Sequence, residues 1–223
     1  RDKERGKLYR NLLMTEASLA GKLNHPHIVQ IFDAVLAEDQ SYIVMEYVKG
    51  GTLEPFCSPS TLLPVDRLVE MIFKCTRALD YAFRAGITHR DIKPANIMYE
   101  SETDTVKVTD FGIARITDSS KTRTGLVLGT PSFMSPEQLA GKKVDGRSDL
   151  YSLGITLFQL LTGTLPLRGA SMTELMHKIA SVEAPDVRQL RPELSAAVAK
   201  VVALAADLED SLVKLLVQAA PPE

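Results

Sequence analysis

Residues 148–163, SDLYSLGITLFQLLTG, are apolar on nearly every side. A helix without a polar face cannot lie on a surface, because it has to be enclosed by other elements all round. A chain carrying one is built around a helical lobe. The 223 residues here supply enough surface to enclose it, in one domain or two tightly joined lobes. No stretch reaches eighteen uncharged apolar residues, so no membrane-spanning segment is expected. The opening RDKERGK lacks the apolar run of a secretory signal.

Charge and cysteine usage narrow the class further. Lys plus Arg total 26 against 28 Asp plus Glu, a formal charge of −2. A protein that binds nucleic acid by neutralising phosphates carries a basic surplus, so nucleic acid is not an expected partner. Cys57 and Cys75 cannot make a disulfide framework and sit in no metal-ligand spacing, which fits a reducing, cytoplasmic setting.

Upstream of the apolar helix the pattern is mixed. Leu8, Leu12, Leu19 and Leu23 fall on one stripe of a helix expected from about Lys7 to Leu23. Glu16 lies at the edge of that stripe, about 20° from Leu23, where an acid either needs a partner or lies on a solvated flank. Two β-rich runs follow, Ile28 to Leu36 and Ser41 to Val48, joined by a polar turn and expected to pair antiparallel. Lys49-Gly50-Gly51 breaks the pattern, and Cys57 to Pro64 reads as loop.

A long amphipathic helix is expected from Asp66 to Arg84, stopped at Gly86. The short runs 97–99 and 106–111 suggest a small hairpin. The Ser-, Thr- and Gly-rich stretch 112–135 suggests a long functional loop. Ser171 with Glu174 suggests a capping box for a helix ending near Pro185, and Glu193 to Ala220 reads as helical. The fold class is therefore α+β, with a small helix-plus-strand part and a larger, mainly helical part.

Chemistry concentrates in residues 88–98, THRDIKPANIM, and in Asp110-Phe111-Gly112. Asp91, Lys93 and Asn96 share one loop, and Asp110 returns to it across the hairpin. Carboxylate and amide oxygens are hard ligands suited to Mg²⁺, which takes its remaining ligands from water and phosphate. A lysine beside a carboxylate can offset charge developing on a transferred phosphoryl group. Any one of these residues alone reads as an ordinary turn or cap residue. Their joint order points to metal-assisted phosphoryl transfer.

H-R-D-x-K-x-x-N followed by D-F-G resembles the protein-kinase signature. With GTPSFMSPEQLAGKKVDGRSD and YSLGITLFQLLTG, the chain is most similar to eukaryotic-like serine/threonine protein kinases of bacterial type. The resemblance implies a bilobal fold with a partial small lobe over residues 1–48, a hinge at 49–51 and a large lobe over 52–223. It implies ATP and Mg²⁺ as cofactors, a protein substrate bearing a Ser or Thr hydroxyl, and self-phosphorylation in trans.

Residue by residue, the resemblance makes Asp91 the catalytic base, Lys93 a contact to the γ-phosphate, and Asn96 and Asp110 the metal ligands. Thr130 would help position Lys93 and the acceptor hydroxyl. Glu16 would pair with a strand lysine. Met45 would lie behind the adenine, the backbone from Glu46 to Val48 would bind its edge, and Met98 would form its floor. His89 and Phe111 would be packing residues, Glu137 a structural acid, and Asp149 the buried acid supporting the catalytic loop. Arg90 would hold a phosphate placed among Ser119, Ser120, Thr122 and Thr124.

Two departures stand against the resemblance. No glycine-rich loop or strand lysine precedes Glu16, and no Asp-Pro-x-x-Arg segment follows residue 206 to pair with Glu137. An incomplete kinase domain, cytoplasmic on its own or as the cytosolic part of a larger, membrane-tethered protein, is the favoured expectation. The alternatives are a catalytically inactive kinase-like interaction module and a small-molecule phosphotransferase of related fold.

Overall fold

The structure is a computed structural model, and it describes residues 20–36, 41–111 and 131–206. Ala20 is helical and the chain turns at 21–22, so the expected helix to Leu23 ends earlier. The rest of that helix lies outside the described residues. Strands β1 (Ile31–Leu36) and β2 (Ser41–Met45) pair antiparallel as expected, with Asp33 opposite Val44 and Val35 opposite Tyr42. Both are shorter than the apolar runs that announced them. At one end the 27–29 segment leaves to join another sheet, where the Val29 N–H donates to Val108 O and the Val108 N–H to His27 O, both at 2.9 Å.

That second sheet has the order β3–β4–β5, with β3 at Gly51–Thr52, β4 at Ile97–Glu100 and β5 at Thr105–Val108. The β4–β5 hairpin is the expected one. β3 is new. Residue 51, the last of the expected hinge, pairs with Tyr99, and Thr52 pairs with Met98. Gly50 before it has φ +109°, and a Cβ there would lie 2.3 Å from Tyr99 O, so only glycine fits this approach.

Helix α1 (Val65–Arg84) buries Leu68, Met71, Ile72, Cys75, Leu79 and Ala82, one stripe at helical spacing. Gly86, at φ +77°, ends it: the Ile87 N–H reaches Ala82 O and the Gly86 N–H reaches Phe83 O, a left-handed glycine cap. After the short α2 (Pro136–Leu139) comes α3 (Gly146–Thr162), the helix marked by its apolar sequence. Only four of its seventeen residues are not buried, so it is enclosed as expected. Its Ser152, Thr156 and Thr162 hydroxyls donate to carbonyls one turn back and so bury no unpaired donor.

Helix α4 (Met172–Ser181) starts at Ser171, whose Oγ accepts the Glu174 N–H. Glu174 reaches the N–H of Ala170, one residue before the expected partner, and the helix stops at Ser181, short of Pro185. Helix α5 (Ala196–Ala206) packs on α3, and residues 207–220 of the expected helix lie outside the described residues.

Candidate active site

The loop leaving α1 returns across the face of α3. Asp149, buried in the first turn of α3, accepts the His89 N–H on Oδ2 and the Arg90 N–H on Oδ1, both at 2.7 Å. Burial pushes the Asp149 pKa up, opposed by His89 and by these two N–H groups. The Asp91 N–H then donates to His89 Nδ1 at 3.2 Å. With Nδ1 accepting, the ring proton sits on Nε2, which donates to Thr109 O at 2.7 Å. The His89 ring, fully buried, meets Phe111 edge-on at 4.6 Å. One imidazole thus joins the catalytic loop to the end of β5.

Asp91 projects from this frame. Its Oδ2 accepts from Lys93 Nζ at 2.8 Å and from Asn96 Nδ2 at 3.0 Å. Asn96 Nδ2 also donates to Asp91 O at 2.7 Å, so both amide hydrogens are used, and among the described residues nothing donates to Oδ1. The Thr109 N–H donates to Asn96 O at 3.0 Å, which sets Asp110 beside Asn96. Asp110 has φ +64°, a left-handed turn that separates it from the direction of β5. Among the described residues, nothing donates to the Asp110 carboxylate. The hard oxygens of Asn96 Oδ1 and the Asp110 carboxylate, without donors among the described residues, suit an ion such as Mg²⁺ that keeps waters and takes phosphate oxygens.

Above this group, Met45 lines one small cavity with Ile31, Asp110 and Phe111. The Glu46 N–H donates to Gln30 O at 2.8 Å, while its carboxylate takes the Gln30 N–H at 3.1 Å and Lys107 Nζ at 2.7 Å. Burial alone would raise the Glu46 pKa. Lys107 and the Gln30 N–H outweigh it and hold the carboxyl below its ordinary value. Among the described residues, Val48 makes no backbone hydrogen bond, which leaves an open edge, and Met98 sits between Thr52 and Lys107 across the sheet.

This arrangement recurs in known proteins. The protein kinase domain family matches residues 1–219. The chain belongs to the protein kinase family. Curated relatives include the serine/threonine-protein kinase pkn3 of Myxococcus xanthus, 44% identical over 187 residues, which cover 80% of this chain and 34% of that protein. Serine/threonine-protein kinase PknB of Mycobacterium leprae is 46% identical over 169 residues, 73% of this chain and 27% of that protein. The kinase chain therefore spans about a third of the length of the curated relatives it matches. Among solved structures, the Mycobacterium tuberculosis PknI kinase domain superposes with TM-score 0.71 at 26% identity, over 94% of this chain and 78% of that one. A Rad53 structure gives 0.76 at 26% identity, over 89% and 50%.

In the kinase chain, Asp91, Lys93, Asn96 and the turn into Asp110 share one hydrogen-bonded group, with Met45 next to it. Glu16, Thr130, Ser119, Ser120, Thr122 and Thr124 lie outside the described residues. Glu137, for which the sequence offers no Asp-Pro-x-x-Arg arginine, accepts the hydroxyl of Ser148, a residue the sequence reading passed over. Gln30, Lys107 and Gln138 were missed as well. Only Gln138 carried a local signal, the Ser-x-x-Gln spacing from Ser135 that closes a capping box. Cys75 is buried with its thiol pushed up to about 12, and burial and Glu54 push Cys57 up to about 11, which disfavours the reactive thiolate at both.

Proposed function

We propose that this kinase domain transfers the γ-phosphoryl group of ATP to a serine or threonine hydroxyl of a protein, with Mg²⁺ as cofactor. The observation that carries this reading is the Asp91 carboxylate: Lys93 and Asn96 hold Oδ2, and among the described residues nothing donates to Oδ1. Oδ1 is then free to accept an acceptor hydroxyl's proton as its oxygen forms the new bond to phosphorus. The bond to the β,γ-bridging oxygen breaks and ADP leaves. Lys93 sits where a cation offsets charge on the transferred group. Asn96 Oδ1 and Asp110 would hold Mg²⁺, which when bound neutralises phosphate charge.

The Glu46–Val48 edge and Met45 would bind adenine, with Met98 below. The similar Rad53 structure is a complex with AMP-PNP, which supports nucleotide binding at this cleft. The small lobe through residue 48, the hinge at 49–51 and the large lobe from 52 belong to this reading, supported by the glycine turn at Gly50 between two separate sheets. A contact from Arg90 to a loop phosphate is supported by its Nε, which among the described residues is buried without a partner and suits an anionic group; self-phosphorylation in trans belongs to the same reading. A cytoplasmic setting, including the cytosolic part of a membrane-tethered protein, belongs to this reading and fits a domain that uses ATP. Among the described residues, no helix is long and apolar enough to cross a membrane.

The decisive experiment compares Asp91→Asn with the parent chain on a Ser/Thr peptide. Turnover falls by about 10²–10⁴-fold, the usual worth of a positioned base, while nucleotide affinity holds within a few-fold. Undiminished phosphorylation by Asp91→Asn would remove the assigned base.

A further inference from the structure

Arg90 has φ +70°, a left-handed backbone that L residues other than glycine resist. It immediately precedes Asp91, so this one torsion aims the Asp91 carboxylate. Both ends of the residue are held from outside. Its N–H is held by Asp149, and its carbonyl accepts from Gln138 Nε2 at 2.8 Å. The Gln138 side chain is fully committed, since Oε1 accepts the Ser135 N–H at 3.1 Å and the Ser135 hydroxyl at 3.2 Å. Only one orientation of the amide satisfies a carbonyl on one side and an N–H on the other. The neighbouring Glu137 takes the Ser148 hydroxyl, and Ser148 adjoins Asp149. The result is a closed circuit through Asp149, Arg90, Gln138, Glu137 and Ser148.

We propose that Gln138 is a positioning residue for Asp91: by holding the Arg90 carbonyl, its amide fixes the left-handed turn that aims the catalytic carboxylate and links that aim to helix α2. This rests on the reading of Asp91 as the base. Capping of α2 and grip on Arg90 use different atoms of the same side chain, so they can be separated.

Gln138→Glu keeps the length and an acceptor for the Ser135 N–H but sets an oxygen against the Arg90 carbonyl. Its kcat on a Ser/Thr peptide falls about tenfold or more, the scale of a small misplacement of a reacting group, while KM for ATP stays within about twofold. Amide hydrogen exchange at Arg90 and Asp91 speeds up, while Leu139 and Ala140 exchange as in the parent. Ser135→Ala removes the cap and leaves the grip, so it lowers the melting temperature without the loss in kcat. An active parent with Gln138→Glu unchanged in both kcat and exchange overturns the role of Gln138 alone, and so does a kcat loss reproduced by Ser135→Ala. A parent without turnover overturns the kinase reading and the catalytic half with it. Exchange at Arg90 and Asp91 still decides whether the grip exists.

Discussion

Asp149 is buried in the first turn of α3; among the described residues no cation pairs with its oxygens, and each takes one backbone N–H, from His89 and from Arg90. A carboxylate is acceptor-only, which is why it can serve two donors at once. Asparagine at 149 would turn an NH₂ towards one of those buried N–H groups. Asp149→Asn is therefore expected to cost about 2–3 kcal/mol, the penalty of a buried donor left unpaired beside a lost charge-assisted bond, read as a lower denaturation midpoint at unchanged m-value. A midpoint equal to the parent's would mean that the loop does not depend on this acid. At this scale the sequence was informative where residues act through a contiguous string. Asp91, Lys93 and Asn96 lie within six positions of one another, and the roles expected for His89 and Asp149 match their contacts. It was silent on the bonds of Gln138 to Arg90 and of Lys107 to Glu46, which span 48 and 61 positions. It was equally silent on the positive φ of Arg90 and Asp110, because neither is a glycine.

Between elements, the β4–β5 turn is tied to α1 by Asp104. Its carboxylate meets Arg67 Nη1 at 2.5 Å and Lys74 Nζ at 3.3 Å, and its carbonyl takes Lys74 Nζ at 3.0 Å. Arg67, and then Lys74, hold the Asp104 pKa below its ordinary value against the opposing effect of burial. A carboxyl depressed by folding contributes stability above its unfolded pKa, and that contribution disappears as pH falls through the folded value. Asp104→Asn keeps a residue tolerant of the φ +54° found there and removes only the charge. The variant is expected to be less stable than the parent at neutral pH and equal to it once pH falls well below about 4, the unfolded carboxyl value. A gap that persists undiminished in acid would show that the charge is not what ties the turn to the helix.

Legibility of the elements followed length. α1 and α3 each run through four or more turns of consistent pattern, and both formed where expected. Two-residue β3 has no period to read. β1 starts later than its apolar run because residues 27–29 pair with β5 instead, and β2 ends at Met45, three residues before its run does.

For the whole molecule, the two sheets and the helical lobe meet where β5 ends. The 27–29 segment, the Lys107–Glu46 pair and the His89 imidazole all converge on residues 106–109. That convergence sets Asp110 opposite the Asp91 loop, although 19 positions separate them in the chain. Sequence order suggested the candidate site residues, but the joints between its halves include the backbone bonds of residues 27–29 and the Lys107–Glu46 ion pair, and no motif records those.

The convergence of Asn96 and Asp110 on one divalent ion is measured most directly by titrating the chain with Mn²⁺ and a non-hydrolysable ATP analogue, followed by electron paramagnetic resonance. One ion should bind per chain with the nucleotide. Asp110→Ala and Asn96→Ala should each weaken it by about tenfold or more, as loss of a ligand to a hard cation requires, while Asp91→Asn leaves it unchanged. Equal Mn²⁺ affinity in the parent, Asp110→Ala and Asn96→Ala would contradict the shared metal centre.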